Sequence, residues 1–248
     1  MTYIYASDPH GRGQKWINLI NKAKAKYKNA KIIFGGDYID GDKHSKETLD
    51  YIMDSVKNEG SIALLGNHEQ MMLDFINNID LDNLWYINGG KSTVKSLLNR
   101  NYSKNITINK LKQAPYYHFL KSLHHVLMTK NMIFVHAGYD TSTSIQNLEY
   151  VLWARDEYFY KPPLSQHKFA HNLSNKVIIS GHTPTCLIKG RLNNKSIDPP
   201  ASCPVLKIQY PNEKARYFTD NGCHGMNTHN GNVCVFDDNG VLLEVINK

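Results

Sequence analysis

Five short motifs containing Asp, Asn and His follow one another along this 248-residue chain. Each motif comes directly after a short apolar run, where an α/β sheet delivers residues to a common edge, the carboxyl ends of its strands. These residue types are suitable ligands for Mn, Fe or Zn. A site with two adjacent divalent ions predicts hydrolysis of a phosphate ester or anhydride. The motifs are Asp8-Pro9-His10, Gly36-Asp37-Tyr38-Ile39-Asp40, Gly66-Asn67-His68-Glu69, His136-Ala137-Gly138 and Gly181-His182-Thr183.

The spacing of these residues predicts how they divide between two ions. Asp8 and His10 are two residues apart, so on an extended segment they point the same way and reach one metal. Asp37 has two carboxylate oxygens and is predicted to bridge both ions. We expect a hydroxide held between the ions to act as the nucleophile, because metal binding lowers the pKa of water. The predicted ligands of the second ion are Asp37, Asn67, His136 and His182.

His68 directly follows Asn67, although the predicted ligand set is already complete without it. We interpret His68 as a general acid that protonates the leaving oxygen. Asp40 is the predicted partner that orients its imidazole and raises its pKa. The alternative for Asp40 is a helix cap or a simple loop carboxylate. Glu69 is expected to serve the helix start or a hydrogen bond behind the metal ligands.

The pattern of apolar residues predicts an α/β protein with one domain spanning residues 1–248. Strands and helices alternate as β-α-β-α-β in the first part, which implies parallel pairing. The second half is richer in strands, with hairpins predicted at 125–135 and 232–245. Residues 85–122 break the alternation and are predicted to form a mostly helical insert beside the site. Further predicted strands cover 3–6, 31–34, 62–65, 177–179 and 205–209, and predicted helices cover 13–28, 45–56 and 67–79.

Composition is that of an ordinary globular protein, with 41% apolar and 21% charged residues. No apolar run approaches the roughly 20 residues of a membrane span. No signal peptide is recognisable at the N-terminus, so a cytoplasmic location is predicted. The four cysteines form no CxxC pair and are expected to be reduced.

The formal net charge of +7 suits an anionic substrate. A Lys-rich surface from a compositionally biased genome explains the same charge. The sequence has no RNA-binding or helix-turn-helix signature, so nucleic acid is not the expected partner.

The order of the five motifs resembles the phosphoprotein phosphatase branch of the calcineurin-like metallophosphoesterases. This branch includes bacterial and phage-type Ser/Thr phosphatases and symmetrical diadenosine tetraphosphate hydrolases. The resemblance spans nearly the whole chain and implies two mixed β-sheets packed as a sandwich flanked by helices. It also implies two divalent ions, with manganese as the first expectation and iron or zinc as alternatives, and a phage or bacterial source. Weaker landmarks are Asn88-Gly89-Gly90 with Thr93, Leu152-Trp153-Ala154-Arg155 and Asp220-Asn221-Gly222-Cys223.

The resemblance implies a role for each matching residue. His68 and Asp40 correspond to the acid dyad. Arg155 resembles the family arginine that grips phosphate oxygens, a role suited to its bidentate fork, and Asn67 is assigned to the phosphate site as well. The alternative for Arg155 is a surface ion pair with Asp156. The implied ligands are Asp8, His10 and Asp37 for the first ion, and Asp37, Asn67, His136 and His182 for the second.

One position departs from the family pattern. The second motif of the family usually continues as Arg-Gly after its second Asp, but here Gly41 occupies the place of that arginine. Lys43 or Lys46 is a candidate to supply the charge, although Lys cannot copy a bidentate clamp. The missing arginine weakens the prediction of efficient phosphoprotein hydrolysis. Gly41 is also expected to leave room for a larger or differently shaped substrate.

Four functions compete at this point. The first is a phosphatase acting on phosphoserine or phosphothreonine in proteins, or on small phosphomonoesters. The second is a hydrolase of dinucleoside polyphosphates, and the third is a phosphodiesterase acting on cyclic nucleotides or nucleic acid. The fourth, a binding scaffold with a degenerate site, is disfavoured by the complete ligand set. In the second reading, a nucleobase stacks on aromatic residues near the insert, whereas the favoured alternative is that these aromatics belong to the core. They are Trp85, Tyr86, Tyr116 and Tyr117.

Overall fold

The computed structural model describes residues 1–79, 82–224 and 230–247. Within these ranges the strands form two five-stranded sheets and one separate hairpin. The first sheet contains β1 (Thr2–Ala6), β2 (Lys31–Phe34), β3 (Ile62–Ala63), β11 (Val233–Asp237) and β12 (Leu242–Ile246). The second contains β4 (Val126–Met128), β5 (Met132–Val135), β6 (Val177–Ser180), β9 (Leu206–Ile208) and β10 (Arg216–Phe218). The separate hairpin consists of β7 (Gly190–Leu192) and β8 (Lys195–Ile197).

Helices α1 to α3 follow the first three strands, one after each. The region predicted as a helical insert, 85–122, contains a π-helical turn and helices α4 to α6. Every helix among the described residues is too short or too polar to cross a lipid bilayer. The helices are α1 (Gln14–Lys26), α2 (Ser45–Glu59), α3 (Asn67–Ile76), α4 (Lys91–Leu98), α5 (Lys104–Gln113), α6 (Pro115–Lys121), α7 (Leu148–Trp153) and α8 (Asp156–Phe159).

Both sheets are mixed, as predicted. In the first sheet β1, β2 and β3 are parallel, and β11 and β12 add antiparallel strands beyond β1. In the second sheet β5, β6 and β10 are parallel, with β4 and β9 antiparallel at the two edges. The parallel strands β1, β2, β3, β5 and β6 are the ones that the five motifs follow. The fold therefore gathers the motifs at strand carboxyl ends.

Side-chain alternation explains why the two sheets stack. Tyr5 and Ile33 belong to one buried cluster with Phe134, whereas Ile4 and Phe34 belong to a second cluster with the helices. Tyr5 of the first sheet lies 5.7 Å from Phe134 of the second, measured between ring centroids. The strands β1, β2, β5 and β6 are thus buried on both faces, which is why they read as continuous apolar runs. Each such side chain contributes roughly 1.5–3 kcal/mol by leaving water.

Candidate metal centre

The five motifs converge on one buried site between the two sheets. The backbone N–H of His182 donates to Asp8 Oδ1 at 2.8 Å, which joins the loops after β6 and β1. The N–H of His68 donates to Asp37 Oδ1 at 3.1 Å, which joins α3 to the loop after β2. His136, at the end of β5, brings its Nε2 to 3.3 Å from the same Asp37 oxygen. Every predicted ligand is buried: Asp8, His10, Asp37, Asn67, His136 and His182.

Five residues of the site have left-handed backbone conformations. Their φ angles are 53° at Asp8, 43° at His10, 56° at Asp37, 69° at Asp40 and 68° at His182. Such angles are uncommon outside glycine, and each costs on the order of 1–2 kcal/mol. Strain of this kind persists only where surrounding contacts hold it, and it gathers at ligand clamps and active sites. These loops are therefore shaped for the positions of their side chains.

A first group of potential ligands consists of His10, Asp37 and His68, whose ligand atoms lie within 4.8 Å of one another. His10 Nε2 is 3.7 Å from Asp37 Oδ2, and His68 Nε2 is 3.9 Å from the same oxygen. His10 Nδ1 donates to the carbonyl of Ile39 at 3.3 Å, which leaves the lone pair on Nε2. Burial lowers the pKa of His10 well below its usual value, so the imidazole is neutral, as a metal ligand must be.

A second group consists of Asp37, His136 and His182. His136 Nδ1 donates to the carbonyl of Gly35 at 2.9 Å, which leaves Nε2 as the ring nitrogen that faces Asn67 and Asp37. That Nε2 is 3.0 Å from Asn67 Oδ1, and His182 Nδ1 is 2.9 Å from the same amide oxygen. Burial lowers the pKa of His182 well below its usual value. Asp37 belongs to both groups, as expected for a bridging ligand.

The donor atoms of the site fit a divalent cation. The Asn67 oxygen faces the acceptors of His136, His182 and Asp37, a convergence of lone pairs that a cation would satisfy. Turning the amide around satisfies the same atoms through its N–H groups. Asp8 Oδ2 and His182 Nε2 are also buried without a hydrogen-bond partner among the described residues. Imidazole, carboxylate and amide oxygen together suit Mn, Fe or Zn.

His68 and Asp40 form a direct hydrogen bond. The distance from His68 Nδ1 to Asp40 Oδ2 is 2.7 Å. Asp40 also accepts from Trp85 Nε1 at 3.1 Å and from the hydroxyl of Thr93 at 2.5 Å. The core interpretation is confirmed for Trp85 and base stacking on it is excluded, because its side chain is fully buried against this carboxylate. Tyr116 is buried as well.

The charged groups of the site shift one another's pKa values. Burial lowers the pKa of His68, but the carboxylates of Asp37 and Asp40 outweigh it and raise that pKa to about 9. Burial also lowers the pKa of His136, but Asp37 outweighs burial and raises that pKa to about 9. Burial opposes ionisation of Asp37, yet His136 and His68 hold the pKa of its carboxyl well below the usual range. Burial raises the pKa of Asp40, against the hydrogen bond from His68. Asp37 is therefore an anion shared by several imidazoles.

Glu69 ties the loop after β2 to the start of α3. Its Oε2 accepts from the N–H groups of Asp37 at 2.8 Å and Gly66 at 3.1 Å. Its Oε1 accepts from Tyr38 at 2.8 Å and Ile39 at 3.3 Å. Burial and the nearby Asp37 raise the pKa of Glu69 to about 7. Both expected roles of Glu69, at the helix start and behind the ligands, are confirmed.

Arg155 lies beside the second group. Its side chain is exposed, and Nη1 donates to the hydroxyl of Thr183 at 2.9 Å, next to His182. Among the described residues Arg155 forms no ion pair with Asp156, so the structure does not show the predicted alternative of a surface pair with that residue.

The two lysines near Gly41 lie at the start of α2 and before it. Lys46 Nζ is paired with Asp50 at 2.5 Å along α2. Lys43 and Lys46 both line a groove of about 910 Å³ between α2 and α4. Gly41 has a φ of 85°, and a Cβ built there would lie 3.2 Å from His224 Nδ1. The expected room beside Gly41 is therefore occupied on one side.

The sequence analysis missed two residues near Gly41. The His224 ring lies 4.6 Å from that of His10 and 5.4 Å from that of His68. Burial and the neighbouring His68 lower the pKa of His224. Arg12 is buried and joins Asp42 to the carbonyl of Cys223. The sequence offers only a weak signal for His224, namely its position directly after the landmark Asp220-Asn221-Gly222-Cys223.

Comparison with known proteins places this geometry in context. The family model described as calcineurin-like phosphoesterase matches residues 1–186. No curated protein matches the sequence.

Three solved structures are similar in fold. A metallophosphoesterase from Sphaerobacter thermophilus aligns with a TM-score of 0.55 and 16% identity, over 100% of this chain and 88% of that one. A protein serine/threonine phosphatase from Saccharomyces cerevisiae aligns with a TM-score of 0.58 and 15% identity, over 100% and 80%. A candidate diadenosine tetraphosphatase aligns with a TM-score of 0.50 and 12% identity, over 99% and 93%. At these identities the likeness concerns the fold.

Proposed function

Because this chain belongs to the calcineurin-like phosphoesterases, we propose that it is a phosphatase that depends on two divalent ions and hydrolyses phosphomonoesters. The substrates in this proposal are phosphoserine or phosphothreonine in proteins, or small phosphate esters. The observation that carries it is the sharing of Asp37 between two buried groups of potential ligands, with His68 and Asp40 alongside. A single bridging carboxylate between two ligand groups is what two-metal phosphate chemistry requires.

The proposed ligands are the six residues predicted from the sequence, although Asp8 belongs to neither group of potential ligands and the first group contains His68 instead. Manganese is the proposed metal, with iron or zinc as alternatives. When bound, two such ions polarise phosphate oxygens and lower the pKa of water. The potential metal-ligating atoms Asn67 Oδ1 and His136 Nε2 both face Asp37. The carbonyl of Gly35 accepts from His136 Nδ1 and so orients that ring. The first ion is assigned to Asp8, His10 and Asp37, and the second to Asp37, Asn67, His136 and His182.

His68 is proposed to supply the proton to the leaving oxygen. Its Nδ1–H is held by Asp40, so the proton to be transferred is the one on Nε2. Asp40 cannot rotate freely because Thr93 and Trp85 also donate to it. The carboxylates of Asp37 and Asp40 raise the pKa of His68 to about 9 and so favour its protonated form. His68 is thereby prepared as an acid, which the leaving alkoxide of a serine or threonine ester needs.

Arg155 and Asn67 are proposed to orient the phosphate. Among the described residues Arg155 uses one N–H for Thr183, so the rest of its fork is available for phosphate oxygens. Its exposure at the edge of a buried site suits a residue that meets incoming substrate.

Hydrolysis of dinucleoside polyphosphates is the second candidate. Gly41 favours it, because the arginine that grips a simple monoester in the resembled family is missing. The burial of Trp85 counts against base stacking at that residue.

The deciding experiment is phosphate release in the presence of manganese from four substrates. These are p-nitrophenyl phosphate, a phosphothreonine peptide, diadenosine tetraphosphate and a 2′,3′-cyclic nucleotide. We expect turnover of both monoesters and its loss on adding a chelator. A strong preference for the dinucleotide would support the second candidate, and inactivity on all four substrates would refute the proposed function. Asp37→Asn should lose this turnover, and Asp50→Asn, on the exposed surface of α2, is its matched control.

A further inference from the structure

His224 lies next to the candidate metal centre, on the side open to solvent, and has no part in the function proposed above. Its ring contacts the rings of His10 and His68, at centroid distances of 4.6 and 5.4 Å. Its side chain is exposed, in contrast to those two buried imidazoles. Among the described residues, the two groups of ligand atoms within 4.8 Å of one another do not include His224. His224 therefore borders the ligand set on the side open to solvent.

His224 also occupies space next to Gly41. A Cβ at residue 41 would lie 3.2 Å from His224 Nδ1 and 3.2 Å from the His10 carbonyl oxygen. The φ of 85° at Gly41 is one that residues with side chains rarely adopt. Position 41 is thus unsuited to a long side chain in this protein. His224 Nδ1, from the loop after β10, lies beside position 41 instead.

Arg12 fixes the loop of His224 against the loop of Gly41. Its Nη1 donates to Asp42 Oδ2 at 3.0 Å, and its Nη2 donates to the carbonyl of Cys223 at 2.8 Å. These acceptors directly follow Gly41 and directly precede His224. The guanidinium is buried, so the two bonds are shielded from water. The backbone directly before His224 is consequently tied to the loop of Gly41.

We propose that His224 is a substrate-binding residue that donates a hydrogen bond from its imidazole to a phosphate oxygen, in place of the arginine missing at position 41. This inference rests on the proposed function. Among the described residues no carboxylate accepts a hydrogen bond from His224, unlike His68, so its ring nitrogens are available to substrate. A single N–H grips phosphate less firmly than an arginine fork. It thereby admits phosphate groups that a bidentate clamp would orient too tightly.

The test compares His224→Phe with His224→Gln in the manganese-loaded protein. Phe keeps a ring against His10 and His68 but has no donor, whereas Gln keeps a donor. With p-nitrophenyl phosphate we expect Phe to raise KM about five- to tenfold, with kcat within twofold of the original protein. Gln should retain KM within about threefold. His118→Phe, an exposed imidazole on α6, is the matched control and should change neither constant.

Bound manganese and melting temperature, measured together with KM, separate substrate binding by His224 from a metal-ligating or structural role. An unchanged KM in His224→Phe, equal to that of the His118 control, would overturn the proposal. A fall in bound manganese together with kcat would make His224 a metal ligand and would also overturn it. Melting temperatures within about 2 °C of the parent, as for a surface change, are expected for all variants.

Calorimetric titration with inorganic phosphate distinguishes failure of this inference from failure of the proposed function. If the original protein hydrolyses none of the substrates, the proposed function is refuted while the phosphate titration still decides the role of His224. Phosphate affinity weakened about five- to tenfold by Phe supports the inference. Equal affinities, or no detectable binding in either protein, contradict it.

Discussion

The floor and the rim of the site are built in different ways. The floor consists of strand-end motifs whose buried side chains are tied to backbone groups, as Glu69 ties the loop of Asp37 and Gly35 ties His136. The rim consists of single residues from separate loops, such as Arg155 and His224, with few contacts each. The floor is thus fixed by the fold, and we propose that the rim sets substrate choice. Substitutions in the floor should therefore affect metals, chemistry and stability, and those at the rim should affect KM.

The largest effect is expected for Asp37→Asn. This change removes the charge shared by both ligand groups, so both ions should bind more weakly and turnover should be lost. Metal content by mass spectrometry and phosphate release measure the two outcomes. Asp50→Asn should leave both unchanged. Retention of two ions with full turnover would remove the bridging assignment.

His68→Asn should leave the metals in place but lower kcat by about 10²- to 10⁴-fold on a phosphothreonine peptide. The loss should be smaller on p-nitrophenyl phosphate, because nitrophenolate leaves without a proton. Steady-state kinetics on both substrates, with metal content as the control, give the comparison. An equal loss on the two substrates would contradict the acid role.

Glu69→Gln should destabilise the floor without removing a proposed metal ligand. The carboxylate accepts four backbone N–H groups, and an amide presents an N–H₂ to some of them. A cost of about 1–3 kcal/mol follows, or a melting temperature lower by several degrees. Thermal unfolding of Glu149→Gln, an exposed residue of α7, is the control. Equal melting temperatures for the two variants would show that these hydrogen bonds are not needed.

Arg155→Lys should have the smallest effect. Lys keeps the charge but not the fork, so KM for p-nitrophenyl phosphate should rise about fivefold with little change in kcat. The same substitution at Arg100, an exposed residue outside the site, should not change KM. If the two variants behave alike, Arg155 does not hold phosphate.

Local sequence predicted much of the fold. The apolar runs of β1, β2, β5 and β6 are buried on both faces and lead directly into a motif, so their position and type were recognisable. The hairpins β4–β5 and β11–β12 are confirmed. The prediction omitted β10 and the hairpin β7–β8. These strands have three residues each, and β10 begins at Arg216, so neither length nor composition marks them.

The residue types at the ends of the strands are readable in the sequence, because those motifs are continuous in the chain and adjoin apolar runs. What surrounds them depends on tertiary packing. Asp40 accepts hydrogen bonds from Trp85 and Thr93, which lie 45 and 53 positions away in the sequence. Arg12 donates to the carbonyl of Cys223 across 211 positions. Contacts at such separations depend on how sheets and helices pack, and no spacing rule encodes them. For the same reason, the approach of His224 to Gly41 became visible only once the two loops were folded against each other.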